Sequence, residues 1–195
     1  MNVYWSSFMV AMMSVVGLGT PALAGTDSAV FNFTATFVGG GCEISVPEAF
    51  QFNNGDILTF ADIREATKDG TPKTTINFNV ILKECSGWGL TPKITVTGNK
   101  TTEFGSTLFR ESGPKAPYGF GVYMRTEGNR TFSPNMDLGE TPTIEPIEWS
   151  KNDDLSEIDT VLPIRAVIRC GDCRDNVNYR GGDFKAVVTF NFVYD

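Results

Sequence analysis

No histidine occurs anywhere in the 195 residues. That absence removes the Ser-His and Cys-His nucleophile pairs together with the commonest zinc ligand. Positive charge is scarce as well: 16 Lys and Arg stand against 23 Asp and Glu, a formal net charge of −7. Without a Lys/Arg stripe, neither nucleic acid nor anionic lipid is indicated as a partner. Beyond residue 18 no apolar run is long enough to form a bilayer-spanning helix, so no membrane insertion is expected. Internal repeats and low-complexity segments are missing too. Carboxylate pairs exist among Glu43, Glu48, Asp153 and Asp154, but no motif sets their geometry for acid–base work. A non-enzymatic protein with no cofactor is therefore expected.

The start of the chain reads as a leader. "FMVAMMSVVGL" (8–18) is an apolar run followed by Gly19, Thr20, Pro21 and then "ALA" at 22–24. An apolar core of this length before a small-x-small site is the pattern of a secretory signal peptide, although the first seven residues hold no Lys or Arg. Cleavage is expected after Ala24, leaving Gly25–Asp195 as one domain of ordinary size. A chain bound for an oxidising compartment uses an even number of cysteines for disulfides. Cys42, Cys85, Cys170 and Cys173 allow three connectivities. The spacing of "CGDC" favours Cys170–Cys173 and leaves Cys42–Cys85, a loop worth about 4 kcal/mol in the chain-entropy treatment. "CGDC" also has the spacing of a redox pair, but Gly171 and Asp172 suit a tight turn and no helical periodicity follows to lower a thiol pKa.

Strand-like runs recur along the rest of the chain, at 31–38, 42–47, 56–63, 74–85, 92–98, 118–126, 160–170 and the C-terminus. Turn-forming Gly, Asn and Pro separate them, and only "FADIREATKD" (60–69) has the makings of a short helix. This pattern indicates an all-β sandwich or barrel, with the extra length in the irregular stretch 99–158. Trp88, in "SGWG" beside Cys85, is read as core packing in preference to a sugar platform.

Both ends carry unusually regular alternation. In "GGDFKAVVTFNFVYD" (181–195), Phe184, Ala186, Val188, Phe190, Phe192 and Tyr194 fall on one face of a strand. In "DSAVFNFTATFVGGGC" (27–42), Ala29, Phe31, Phe33, Ala35 and Phe37 do the same, and three glycines then separate the strand from "CEISVP" (42–47).

These residues carry a resemblance. The chain is similar to the chaperone–usher fimbrial subunits (pilins) over essentially all of 1–195. The matching features are a leader, an alternating extension ending just before the first Cys, and a second Cys closing "TINFNVILKEC". "YGFGVYMRTEGN" and "LPIRAVI" match as strands, and Gly182, fourteenth from the end, is joined by an apolar ladder to the penultimate Tyr194. The Cys170/Cys173 pair departs from the single-disulfide pattern and points to a minor or adaptor subunit of the type 1-like kind.

The resemblance implies an incomplete immunoglobulin-like sandwich that lacks its last strand and is completed by a donor strand from a partner. It implies residues 1–24 as signal peptide, 25–38 as donor extension and 39–195 as pilin domain. Ala29, Phe31, Phe33, Ala35 and Phe37 are the implied donor residues, and Gly182 with the 184–194 ladder the groove edge recognised by the chaperone. The implied partners are a periplasmic chaperone, an outer-membrane usher and neighbouring pilins, and the implied location is a fimbrium on the bacterial surface, reached through the periplasm, that contributes to cell adhesion. The alternatives are a tip adhesin binding host glycan and a major shaft subunit. Burying each donor Phe in a groove is worth roughly 1.5–3 kcal/mol. Ala35 stands where the family usually has Gly, and its methyl fits a shallow pocket less freely.

Overall fold

Alternation along the chain is converted into two packed sheets. The computed structural model describes residues 29–36 by their backbone, and 41–66, 69–113, 116, 118–173 and 179–195 in full. The expected leader over 1–24, the rest of the extension at 25–28, and Phe37 and Val38 lie outside the described residues. Among the described residues the strands, in chain order, are β1 (Ala29–Thr36), β2 (Glu43–Ser45), β3 (Ala49–Gln51), β4 (Thr75–Lys83), β5 (Pro92–Gly98), β6 (Lys100–Thr101), β7 (Leu108–Phe109), β8 (Gly121–Thr126), β9 (Thr143–Ile144), β10 (Val161–Arg169) and β11 (Phe184–Tyr194). One sheet runs β3-β1-β11-β5-β9 and the other β2-β4-β10-β8-β7-β6. The result is the all-β sandwich expected from the sequence.

The core lies where the inward faces meet. Phe78, Val80 and Leu82 of β4 are buried, Asn79 and half-buried Ile81 alternate between them, and Asn77 and Lys83 on either side are exposed. Leu162, Ile164 and Ala166 of β10, Ile94 and Val96 of β5, and Val122 and Met124 of β8 complete the same cluster. Phe78 from one sheet meets Phe190 from the other edge-on, with ring centroids 6.1 Å apart, the arrangement that aromatic quadrupoles favour. Strand β8 is buried at every position. Its outward Arg125 tolerates this because Asp69 lies 2.9 Å and Glu127 3.3 Å from the guanidinium; a buried charge is destabilising unless it is paired.

The disulfides are Cys42–Cys85, which ties the start of β2 to the chain just beyond β4, and Cys170–Cys173, which closes a turn after β10. Gly171 sits in that turn at φ 62°, and the Cys173 amide donates to the Cys170 carbonyl at 3.1 Å.

One expected strand is not formed, and the short helix expected within 60–69 takes its place. The run 56–63 is extended only at its start and then becomes the helix α1 (Phe60–Glu65). The cause is local: Thr59 and Asp62 form a reciprocal capping box, with the Thr59 hydroxyl accepting from the Asp62 amide at 3.2 Å and the Asp62 carboxylate from the Thr59 amide at 2.9 Å. Conversely, β3, β6, β7 and β9 span only two or three residues each, too few for periodicity to reveal. The irregular stretch 99–158 contains three of them, pinned by side chains such as Asn135, whose amide donates to the carbonyls of Thr141 and Thr143 at 2.8 Å.

Candidate functional site

The terminal strand is the longest in the molecule's described part and the most regularly buried. Phe184, Ala186, Val188, Phe190 and Phe192 are all buried, whereas the residues between them are exposed or half-buried. Tyr194 is half-buried and packs on the core. On one side β11 pairs antiparallel with β5, from Val188 opposite Gly98 to Tyr194 opposite Pro92. Its last residue is tied down as well. Asp195 and Thr91 exchange backbone hydrogen bonds at 3.0 and 3.2 Å, and Lys93 Nζ reaches the Asp195 carboxylate at 2.5 Å. That bond raises the Lys93 pKa above its ordinary value.

On its other side β11 pairs with β1, and the direction is parallel. The register sets Ala29 beside Phe184, Phe31 beside Ala186, Phe33 beside Val188 and Ala35 beside Phe190. The far edge of β1 pairs antiparallel with β3, Val30 opposite Gln51 and Asn32 opposite Ala49. Every other ladder among the described strands is antiparallel. The N-terminal extension thus fills a strand-wide slot in its own sheet, between β3 and β11. Of the donor residues inferred from sequence, Ala29, Phe31, Phe33 and Ala35 are brought alongside the terminal ladder, and Phe37 lies outside the described residues.

The second wall of the slot, β3, was not legible in the sequence. Phe50 on it stacks at a tilt on Phe78 with centroids 4.8 Å apart, and is the register partner of Phe31. The exit of the extension is shaped by Gly41, whose φ is 138°. A Cβ at Gly41 would approach the Phe192 ring to 2.9 Å and the Tyr194 ring to 3.3 Å, so the chain passes there only as glycine. Gly182, before the ladder, has φ 147°, a conformation that side chains rarely adopt. Trp88 corrects an expectation: it is 69% exposed rather than in the core, and its backbone forms an isolated antiparallel bridge with Asp154.

No family model matches the chain. It is 27% identical over 195 residues, an overlap taking in 95% of each chain, to the uncharacterized fimbrial-like protein YadM of Escherichia coli (strain K12). The chain is thus similar to a fimbrial-like protein. This similarity agrees with the resemblance carried by the Cys spacing and the terminal ladder. Among the described residues no helix is long and apolar enough to cross a membrane.

Proposed function

We propose that this chain is a structural subunit of an adhesive fimbria, exported through the periplasm and assembled by a chaperone and an usher through donor-strand exchange. Residues 1–24 are its leader, 25–38 its donor segment and 39–195 its acceptor domain. The observation that carries the reading is the slot between β3 and β11, filled by a terminal segment in the parallel sense. Without that segment, two backbone edges and an apolar core would be open, a template for aggregation. A chaperone strand covers such an opening during export, and β-strand addition then lets a neighbouring subunit supply a permanent occupant. Parallel ladders are slightly weaker per residue than antiparallel ones. A donor arriving from a neighbour in the antiparallel sense therefore displaces the chain's own strand with a net gain in backbone pairing. The homologous fimbrial-like protein and the terminal alternation support the same conclusion.

The test is removal of the last four residues, Phe192–Asp195. The truncated chain, expressed with its chaperone, is expected to be uncaptured and degraded in the periplasm. Normal accumulation of a truncated chaperone complex would refute the edge-strand mechanism.

A further inference from the structure

Away from the strand slot, the indole of Trp88 stands in solvent. The residue is 69% exposed, whereas tryptophan is highly buried on average, yet the backbone on either side of it is fixed. The Leu155 amide donates to the Gly87 carbonyl at 2.9 Å, Trp88 bridges Asp154, and the Trp149 indole donates to the Leu90 carbonyl at 2.8 Å. The approach is open as well: a Cβ on Gly89 would meet nothing within 4 Å. A large aromatic residue on a fixed backbone offers contact area to a ligand at little cost in conformational entropy.

The same bonds set Trp88 at the rim of a cleft of about 250 Å³, below the range of drug-sized sites and suited to one small ring. Trp149, which holds Leu90, and Asp153, next to the Asp154 that Trp88 bridges, both line this cleft. Ile147 and Trp149 give it an apolar wall. Its polar groups are of two kinds. Glu148 and Glu157 are acceptors, exposed and engaged by no other described side chain. Arg130 and Thr131 are donors. The Arg130 guanidinium commits only Nε, to Asp159 at 3.4 Å. Thr131, just 7% exposed, accepts from the Asp159 amide at 2.8 Å, which leaves its own hydroxyl proton to give.

That combination discriminates among ligands. A bare cation satisfies the carboxylates but offers no acceptor to Thr131 or Arg130. A bare anion does the reverse and meets Glu148 and Glu157 at like charge. A hydroxyl both donates and accepts, so neighbouring hydroxyls on one ligand serve both kinds of group, and those given to carboxylates are the stronger, charge-assisted bonds. A pyranose ring also suits Trp88, because its axial C–H groups form a weakly positive face against the negative face of the indole quadrupole. We propose that this cleft binds an uncharged pyranose sugar, its C–H face stacked on Trp88 and its hydroxyls shared among Glu148, Glu157, Arg130 and Thr131. The site is separate from the strand slot and does not depend on strand exchange.

A heteronuclear NMR titration of the purified chain tests this through the indole signals, that of Trp88 being the one lost in Trp88→Ala. The probes are methyl β-glucoside, methyl β-galactoside and N-acetylglucosamine. Sorbitol, a polyol without a ring face, and putrescine, a cation without hydroxyls, serve as comparisons. At least one sugar is expected to shift the Trp88 signal saturably, with sorbitol and putrescine each weaker by about tenfold or more, the scale of one lost anchoring contact. Trp88→Ala, followed through the Trp149 signal, is expected to weaken that sugar by about tenfold with no change in melting temperature. Ile57→Ala, at an exposed position outside the cleft, is expected to change nothing. No shift with any of these sugars, equal binding of sorbitol or putrescine, an undiminished affinity in the Trp88 variant, or an equal loss in the Ile57 variant each overturns the proposal.

Discussion

At the scale of single residues, three positions decide local conformation and can be tested by measurement. Thr59 and Asp62 turn an apolar run that alternates like a strand into helix α1. Thr59→Ala is expected to remove about 1 kcal/mol, the usual loss of an N-cap hydroxyl, measured by urea denaturation. The Asp62 carboxylate bonds Lys73 Nζ at 2.8 Å and also accepts from Thr59. The Lys73 bond, first, and the Thr59 bonds, second, hold its pKa far below the usual aspartate range. A depressed carboxylate pKa contributes stability that is present above the unfolded-state value and lost as pH falls through the folded one. The melting temperature of Asp62→Asn is therefore expected to lie below that of the parent at pH 7, the gap narrowing as pH drops below about 4. A gap independent of pH would contradict the assignment. Gly41→Ala, by contrast, forces a methyl against Phe192 at a positive φ. A loss of about 1–3 kcal/mol is expected, with no pH dependence.

At the scale of elements, legibility in the sequence tracks the length over which a pattern repeats. β11 could be read because five buried residues recur at every second position, and β4 and β10 because a sandwich core imposes the same period on both sheets. The strand β3 could not, since three residues carry no period and its place is fixed by pairing with β1, a tertiary fact. α1 falls inside 60–69, the stretch with the makings of a helix, but the overlapping strand-like run 56–63 hid where it begins until the capping box set it; Trp88 was misread from proximity to a Cys that says nothing about which way the backbone turns. The apolar face of the extension was legible, but its occupancy of its own sheet was not: alternation specifies that a strand has a face to bury, without specifying the molecule that buries it. The two strands of the slot are expected to differ in persistence. β1 has a weaker parallel ladder on one side and only a short partner on the other, while β11 is locked by β5 and by the Asp195–Thr91 bonds. Hydrogen exchange followed by mass spectrometry is expected to find the amides of Ala29–Thr36 exchanging at least about tenfold faster than those of Val188–Phe192, because sub-global opening releases the least supported element first. Equal protection of the two strands would mean that β1 is an integral part of the sandwich.

At the scale of the whole molecule, the question is whether the extension belongs to this domain or to the next one in a fibre. Occupation of the slot by β1 is compatible with both, since a free chain with an open apolar edge closes it with whatever strand is at hand. The two cases separate when the edge is covered by another protein. If 25–38 is an integral strand, deleting Gly25–Val38 removes core Phe side chains, and large aromatic truncations typically lose about 3–5 kcal/mol each. The deleted chain would then fail to fold even beside its chaperone. If it is a donor, the deleted chain expressed with the chaperone is expected to give a folded, soluble complex, because the chaperone strand takes the place of β1 between β3 and β11. The same variant is expected to be absent from fibres on its donor side. A peptide "DSAVFNFTATFVGGG" added to the deleted chain after chaperone release is expected to raise its melting temperature, as any ligand selective for the folded state does. Phe33→Asp in the peptide is expected to abolish the effect if that position enters the apolar groove, since an unpaired charge is strongly disfavoured there. The fate of the deletion variant decides between the cases: a form that is insoluble with the chaperone present assigns the strand to its own core, and a soluble complex that cannot pass on a strand assigns it to the neighbour.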